Sequence, residues 1–217
     1  MFAHFSHLLY SNFMTERQFT PTELSRTSTF DHTTIPALQE TVTYFRSPVV
    51  QENATNGFLT LGMIKPSLHD AFIDASIHDA VAAEIVAKAS IAFDSEAVNE
   101  FYKGGPYDSM YPNPPIRDPQ YANRWEEYVD MMASGPSTIL LLGQEDGEAV
   151  STWRSQLGHW NIEANRDPKT IRGRYARDNH NNILHGSDSP ESVLREMSIV
   201  SNLFERALIS LRLDAQR

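Results

Sequence analysis

The chain has 217 residues, 41% of them hydrophobic, with a formal net charge of −10 and no cysteine. That size and apolar content support one core plus an appendage. The charge argues against general binding to nucleic acid or an anionic membrane, and the absence of thiols excludes a disulfide framework, thiolate chemistry and any cysteine zinc site. No apolar run approaches the length that spans a bilayer. Met1 to Met14 is apolar and aromatic but has no basic n-region and is broken by His and Ser, which argues against a secretory signal and leaves both methionines open as the start. These features read as a cytoplasmic protein.

In chain order, residues 1–55 are Thr- and Ser-rich with scattered prolines. They read as an N-terminal extension, partly disordered or packed on the domain, with loops at 25–29 and 31–34 and a short strand over Thr41–Phe45. The main domain is assigned to 56–204 and a C-terminal helical tail to 205–217. Phe58–Ile64 is a strand in which Gly62 marks a close backbone approach. It ends at Lys65-Pro66, where proline cannot continue a central ladder. Lys65 at a strand end suits a phosphate contact, or is a plain surface lysine. A helix is predicted over Asp70–Ala80. Ala83–Phe93 alternates, with Ile85, Ala87, Ala89, Ile91 and Phe93 on one face of a half-buried strand. Asp94 or Ser95 caps a helix running to Tyr102. Residues 104–121 hold five prolines and read as a long loop. Asn123–Met132 is a helix with Trp125, Val129 and Met132 on one face. Ser137–Leu142 is an apolar, central strand, and Glu145–Leu157 a helix ended by Gly158. Arg154, Arg166, Lys169, Arg172, Arg174 and Arg177 then cluster against only Glu163 and Asp167, which fits a phosphate cradle or a solvated basic loop.

Next comes Asn181-Asn182-Ile183-Leu184-His185-Gly186-Ser187-Asp188-Ser189. Ile183 and Leu184 read as a short buried strand, and Gly186 to Asp188 as the turn that ends it. Ser189 suits an N-cap and Pro190 the first position of a helix running to about Phe204, after which Glu205–Arg217 continues it or frays. His185 therefore stands at a strand end, beside a glycine that leaves room for a ligand, just before a helix start that favours anions. Imidazole can act as a nucleophile; the plainer alternative is an ordinary polar loop residue. The element order gives an α+β, ferredoxin-like, four-stranded antiparallel sheet with helices on one face.

Asn182-x-x-His185-Gly186-Ser187-Asp188-Ser189 resembles the active-site motif of the nucleoside diphosphate kinase family. Thr170-Ile171-Arg172-Gly173 is similar to a second family motif, and Lys65-Pro66, Ser134-Gly135-Pro136 and Leu157-Gly158 match further landmarks in the family's order. The resemblance covers roughly residues 57–204. It implies that His185 is phosphorylated, that Ser187 and Glu196 hold it by hydrogen bonds, and that Tyr102 lies near it. It also implies that Lys65, Arg154 and Arg172 contact phosphates, that Asn182 contacts the ribose and that Trp125 lies against the base. Asp188 would brace the turn. Two departures stand out: His159-Trp160 replaces a threonine that touches phosphate in the family, and the Pro-rich 104–121 stretch is an insertion.

The implied activity is nucleoside diphosphate kinase, with Mg²⁺ bridging the phosphates, nucleoside tri- and diphosphates as substrates, and a homo-oligomeric assembly. The implied transfer is ping-pong, because one site serves both half-reactions. Two other readings stand beside it. One is a weakened nucleotide-binding or scaffold protein on the same fold. The other is an interaction module using residues 1–55 and the Pro/Tyr-rich loop.

Overall fold

The computed structural model describes residues 34–66, 84–102, 119–162, 165–179 and 181–216. The helix predicted over 70–80, most of the 104–121 loop and the loops before residue 34 lie outside the described residues. Four strands form one sheet: β1 (Leu59–Ile64), β2 (Glu84–Ala92), β3 (Pro136–Gly143) and β4 (Leu184–Gly186), in the order β2-β3-β1-β4. Every pairing is antiparallel, with Leu61 opposite Leu141 and Met63 opposite His185. The apolar β3 is central, as its composition predicts.

Strand alternation divides the core in two. Leu61, Met63, Ile139 and Leu141 face a large cluster with side chains of five helices: α1 (Thr34–Phe45), α2 (Pro48–Thr55), α3 (Ser95–Tyr102), α4 (Pro119–Ala133) and α7 (Pro190–Asp214). Ile64, Leu140 and Leu142 face a smaller cluster with Trp153 and Leu157 of α5 (Ala149–Leu157) and Ile171 of α6 (Ile171–Tyr175). Helices thus cover both sheet faces rather than the single face expected. β1 and β3 are buried on both faces, which a one-sided sheet would not give.

Three local expectations change for physical reasons. Thr41–Phe45 is helical, the end of α1. Its β-branched and aromatic content suggests a strand, but Leu38, Val42 and Phe45 are buried at helical spacing, and the Thr41 and Thr43 hydroxyls donate to the carbonyls of Ala37 and Gln39 four residues back. In β2 a bulge between Ile85 and Ala87 moves Ile85 to the α5 side, off the face it was expected to share with Ala87. α5 begins at Ala149 rather than Glu145, because Gly147 sits at φ 79° and Asp146 Oδ1 accepts from the Glu148 N–H, making a turn first. Among the described residues no helix is long and apolar enough to cross a membrane.

Candidate active site

β4 has three residues, and its alternation aims His185 at the α7 side and Leu184 and Gly186 at the α5 side. A Cβ added to Gly186 would stand 2.5 Å from Leu157 and 2.6 Å from Trp153. The glycine therefore makes room for the α5 core, not for a ligand as expected. Gly62, beside it on β1, admits the same indole at 3.1 Å, which explains the close approach read from the sequence.

Side chains also hold the β4 backbone. Arg172 donates to Leu184 O (2.7 Å) and Gly158 O (3.0 Å), Trp153 Nε1 to His185 O (3.3 Å), and Arg154 to Gly186 O (3.4 Å). Just upstream, buried Ile183 sits at φ 63°, a left-handed conformation costing a β-branched residue about 1–3 kcal/mol. The bond from Lys65 N–H to Ile183 O (2.9 Å) helps hold it. The strained residue lies between Asn182 and His185, so it sets the relative aim of both.

The histidine ring is clamped from two elements. Phe101 and Tyr102, at the end of α3, meet it edge-on at 5.0 and 5.5 Å between centroids. From α7, Glu196 Oε2 accepts from His185 Nε2 at 2.9 Å and from Ser187 Oγ at 2.6 Å. Glu196 is buried. Ser189 caps α7 by accepting from the Ser192 N–H, and Asp188 accepts from Ser192 Oγ, so the turn after His185 is braced as expected.

Lys65 is 1% exposed. Its Nζ donates to Asn182 Oδ1 and lies 5.1 Å from the centre of the Tyr128 ring. Among the described residues it has no carboxylate partner. Burial, and secondarily the nearby Arg172 guanidinium, hold its pKa well below the usual lysine value. A desolvated ammonium beside a second cation makes a strong electrostatic demand for an anion. Asn182 Nδ2 is likewise buried, with no hydrogen-bond partner among the described residues. Trp125 stacks on Tyr128 (5.6 Å, 26°), meets Tyr102 edge-on (6.4 Å) and donates its indole N–H to Asn99.

The structure thus brings His185, Ser187, Glu196, Tyr102, Lys65, Asn182, Arg172, Arg154 and Trp125 into one connected neighbourhood. Two other members of the basic cluster are engaged elsewhere. Arg166 donates to Gly173 O and Ala176 O, and Arg174 packs over Tyr175.

A family model described as nucleoside diphosphate kinase matches residues 59–205. The chain belongs to the nucleoside diphosphate kinase family. The nucleoside diphosphate kinase of Deinococcus radiodurans is 40% identical over 73 residues, 34% of this chain and 51% of that protein. That of Streptococcus agalactiae is 44% identical over 79 residues, 34% of this chain and 55% of that protein. The chain spans about half the length of the curated relatives it matches. A crystal structure of the Encephalitozoon cuniculi nucleoside diphosphate kinase superposes with a TM-score of 0.52 at 26% identity, covering 65% of this chain and 86% of that one. In this family member three residues that motif reading passes over support the site. Tyr128 touches Lys65, Trp125 and Tyr102, Trp153 packs behind β4, and Arg195 stands behind Glu196. Only Trp153 left a trace in the sequence, through the glycines that accommodate it.

Proposed function

We propose that this protein is a nucleoside diphosphate kinase that moves the γ-phosphate of a nucleoside triphosphate to a diphosphate, in two half-reactions, through His185. The observation that supports this most is the Nε2–Glu196 hydrogen bond. A carboxylate only accepts, so Nε2 carries the proton and Nδ1 keeps its lone pair. Nδ1 attacks the γ-phosphorus, the bond to the bridging oxygen breaks, and the diphosphate leaves with that electron pair. The reverse step delivers the phosphoryl group from His185 to a second diphosphate, which gives ping-pong kinetics. Glu196, Ser187 and the α3 rings fix the ring in advance, so little orientation is left to find.

Lys65, with Arg172 and Arg154 at the rim of β4, neutralises the phosphates. Asn182 Nδ2 offers a donor to a ribose hydroxyl, and Trp125 a face to the base. Among the described residues no group of three or more His, Cys, Asp or Glu side chains is placed to hold a metal. Mg²⁺ enters as the ion of the nucleotide substrate, bridging its phosphates, as the family resemblance implies. A homo-oligomer is the assembly the family suggests. A second reading, a weakened nucleotide-binding protein, draws on His159 and Trp160, which stack on each other where the family has its threonine.

Incubation with γ-labelled ATP and Mg²⁺ tests this. The expected label survives alkali, is lost in acid, moves onto added GDP or UDP and is absent from His185→Ala. Label retained after the chase would point to another acceptor. Bound ATP with no label would favour the weakened protein.

A further inference from the structure

We infer that Arg195 is a positioning residue that fixes the tautomer and tilt of His185 by holding Glu196 and the end of α3 together. Its guanidinium contacts both halves of the histidine clamp. One arm donates to Phe101 O (2.7 Å) and Glu100 O (3.2 Å) in the last turn of α3. The other meets Glu196 Oε1 at 3.3 Å. The last carbonyls of a helix lack intrahelical partners and carry the negative end of its dipole, so a cation there is favourable. The α3 end that it grips is the one whose Phe101 and Tyr102 rings lie against His185.

On the other side, Glu196 Oε2 is committed to His185 and Ser187. The terminal torsion of a glutamate is broad and weakly preferred. What holds Oε1 therefore sets the plane of the carboxylate and with it the position of Oε2. Arg195 supplies that hold and also a counter-charge for a carboxylate that is only 3% exposed. Without it the carboxylate can turn, Nε2 loses its fixed acceptor, and the proton is free to move to Nδ1, the nitrogen that must stay unprotonated.

The test compares full-length wild type, Arg195→Met and Arg195→Lys. The Arg195 side chain is 36% exposed, so the Met variant should fold; the Lys variant, which keeps the charge and one donor direction, carries the test if it does not. The first readout is ¹⁵N NMR of the His185 ring. A single Nε2–H tautomer is expected in wild type, a mixture in Arg195→Met, and a mostly restored tautomer in Arg195→Lys. The second, which rests on the phosphotransfer reading above, is kinetic. kcat should fall about 10- to 100-fold in Arg195→Met with KM within twofold, and recover in part in Arg195→Lys. An unchanged tautomer and kcat in Arg195→Met, even with lowered thermal stability, would mean a merely structural arginine and overturn the inference. If wild type transfers no phosphoryl group, the proposed function fails, while the NMR comparison still decides the role of Arg195.

Discussion

Lys65 brings a charge into the interior, where its Nζ meets the Asn182 amide oxygen and the Tyr128 ring face, with the Arg172 guanidinium nearby. Its depressed pKa has a definite sign in stability. Between its folded-state value and about 10.5 the unfolded chain binds more protons than the folded one, so the free protein gains stability as pH rises through that window. Lys65→Met removes the buried charge. It is expected to be more stable than wild type at pH 7, by a margin that narrows toward pH 10, while losing nucleotide affinity. Urea midpoints at the two pH values check this, and a margin independent of pH would count against it. The arrangement also predicts linkage on the ligand side. An anion favours the charged amine, so above the folded-state pKa phosphate binding draws a proton onto Lys65, visible by calorimetry in buffers of different ionisation enthalpy. A lysine whose charge is this costly in the free state is suited to a site whose ligand is a polyanion.

At the scale of elements, the position of His185 depends on how closely β4 lies on α5. Gly186 and Gly62 face the same indole, but with different clearance: 2.6 Å against 3.1 Å to the nearest Trp153 atom for an added Cβ. Gly186→Ala is expected to cost about 1–3 kcal/mol through overpacking, and to abolish phosphotransfer because it displaces the strand bearing His185. Gly62→Ala, where a shift of a few tenths of an ångström suffices, should cost less and retain activity. Thermal denaturation with single-turnover labelling ranks the two variants; equal losses would show that clearance at Trp153 does not position β4. α7 is the matching element on the opposite face. Its first turns supply Glu196 and Arg195, and its later turns carry Met197, Val200 and Phe204 into the main core. The arm that holds the histidine is therefore anchored by the domain's own packing.

At the scale of the molecule, α1 and α2 contribute to the core of the sheet domain. Leu38, Val42, Phe45, Val50 and Ala54 are buried in the same cluster as the sheet and α7, with Phe45 6.1 Å from the Phe204 ring. On the surface, Arg46 reaches Glu205 and Asn202 of α7, and Arg212 donates to Gln39 of α1. Burial should dominate over these exposed contacts. Phe45→Ala is expected to cost about 3–5 kcal/mol within a single unfolding transition, and Arg46→Ala only a small part of that. Two separate transitions in denaturant would instead mark the helix pair as an independent unit. Phe45 meets α7 at Phe204, well along the helix from Glu196, so Phe45→Ala should lower stability well before it changes kcat.

The residues that touch nucleotides in the resemblance were readable from the chain because the surrounding motifs fix residue type at short spacing. Asn182, His185 and Ser187 lie within one short stretch, Glu196 in the second turn of the helix that follows, and Lys65 just after a strand. Sheet order was readable in part, since apolar β3 had to be central; that β4 lies at an edge came from the fold. Spacing along the chain does not report packing across it, and the remaining features depend on that packing. Arg195 adjoins Glu196 in sequence, and neighbours on a helix do not face each other; only α3, docking nearly a hundred residues away in sequence, gives its guanidinium a reason to bridge. Tyr128 looks like any core aromatic until Lys65 and Trp125 arrive on its two sides. Gly186 reads as space for a ligand until α5 fills it. Thr41–Phe45 follows strand propensity until α7 offers a helical face to bury. The sequence alone determined which groups are the candidates for the chemistry; the tertiary structure decided what holds them still, because burial, hydrogen-bond partners and clearance belong to pairs of elements that meet only on folding.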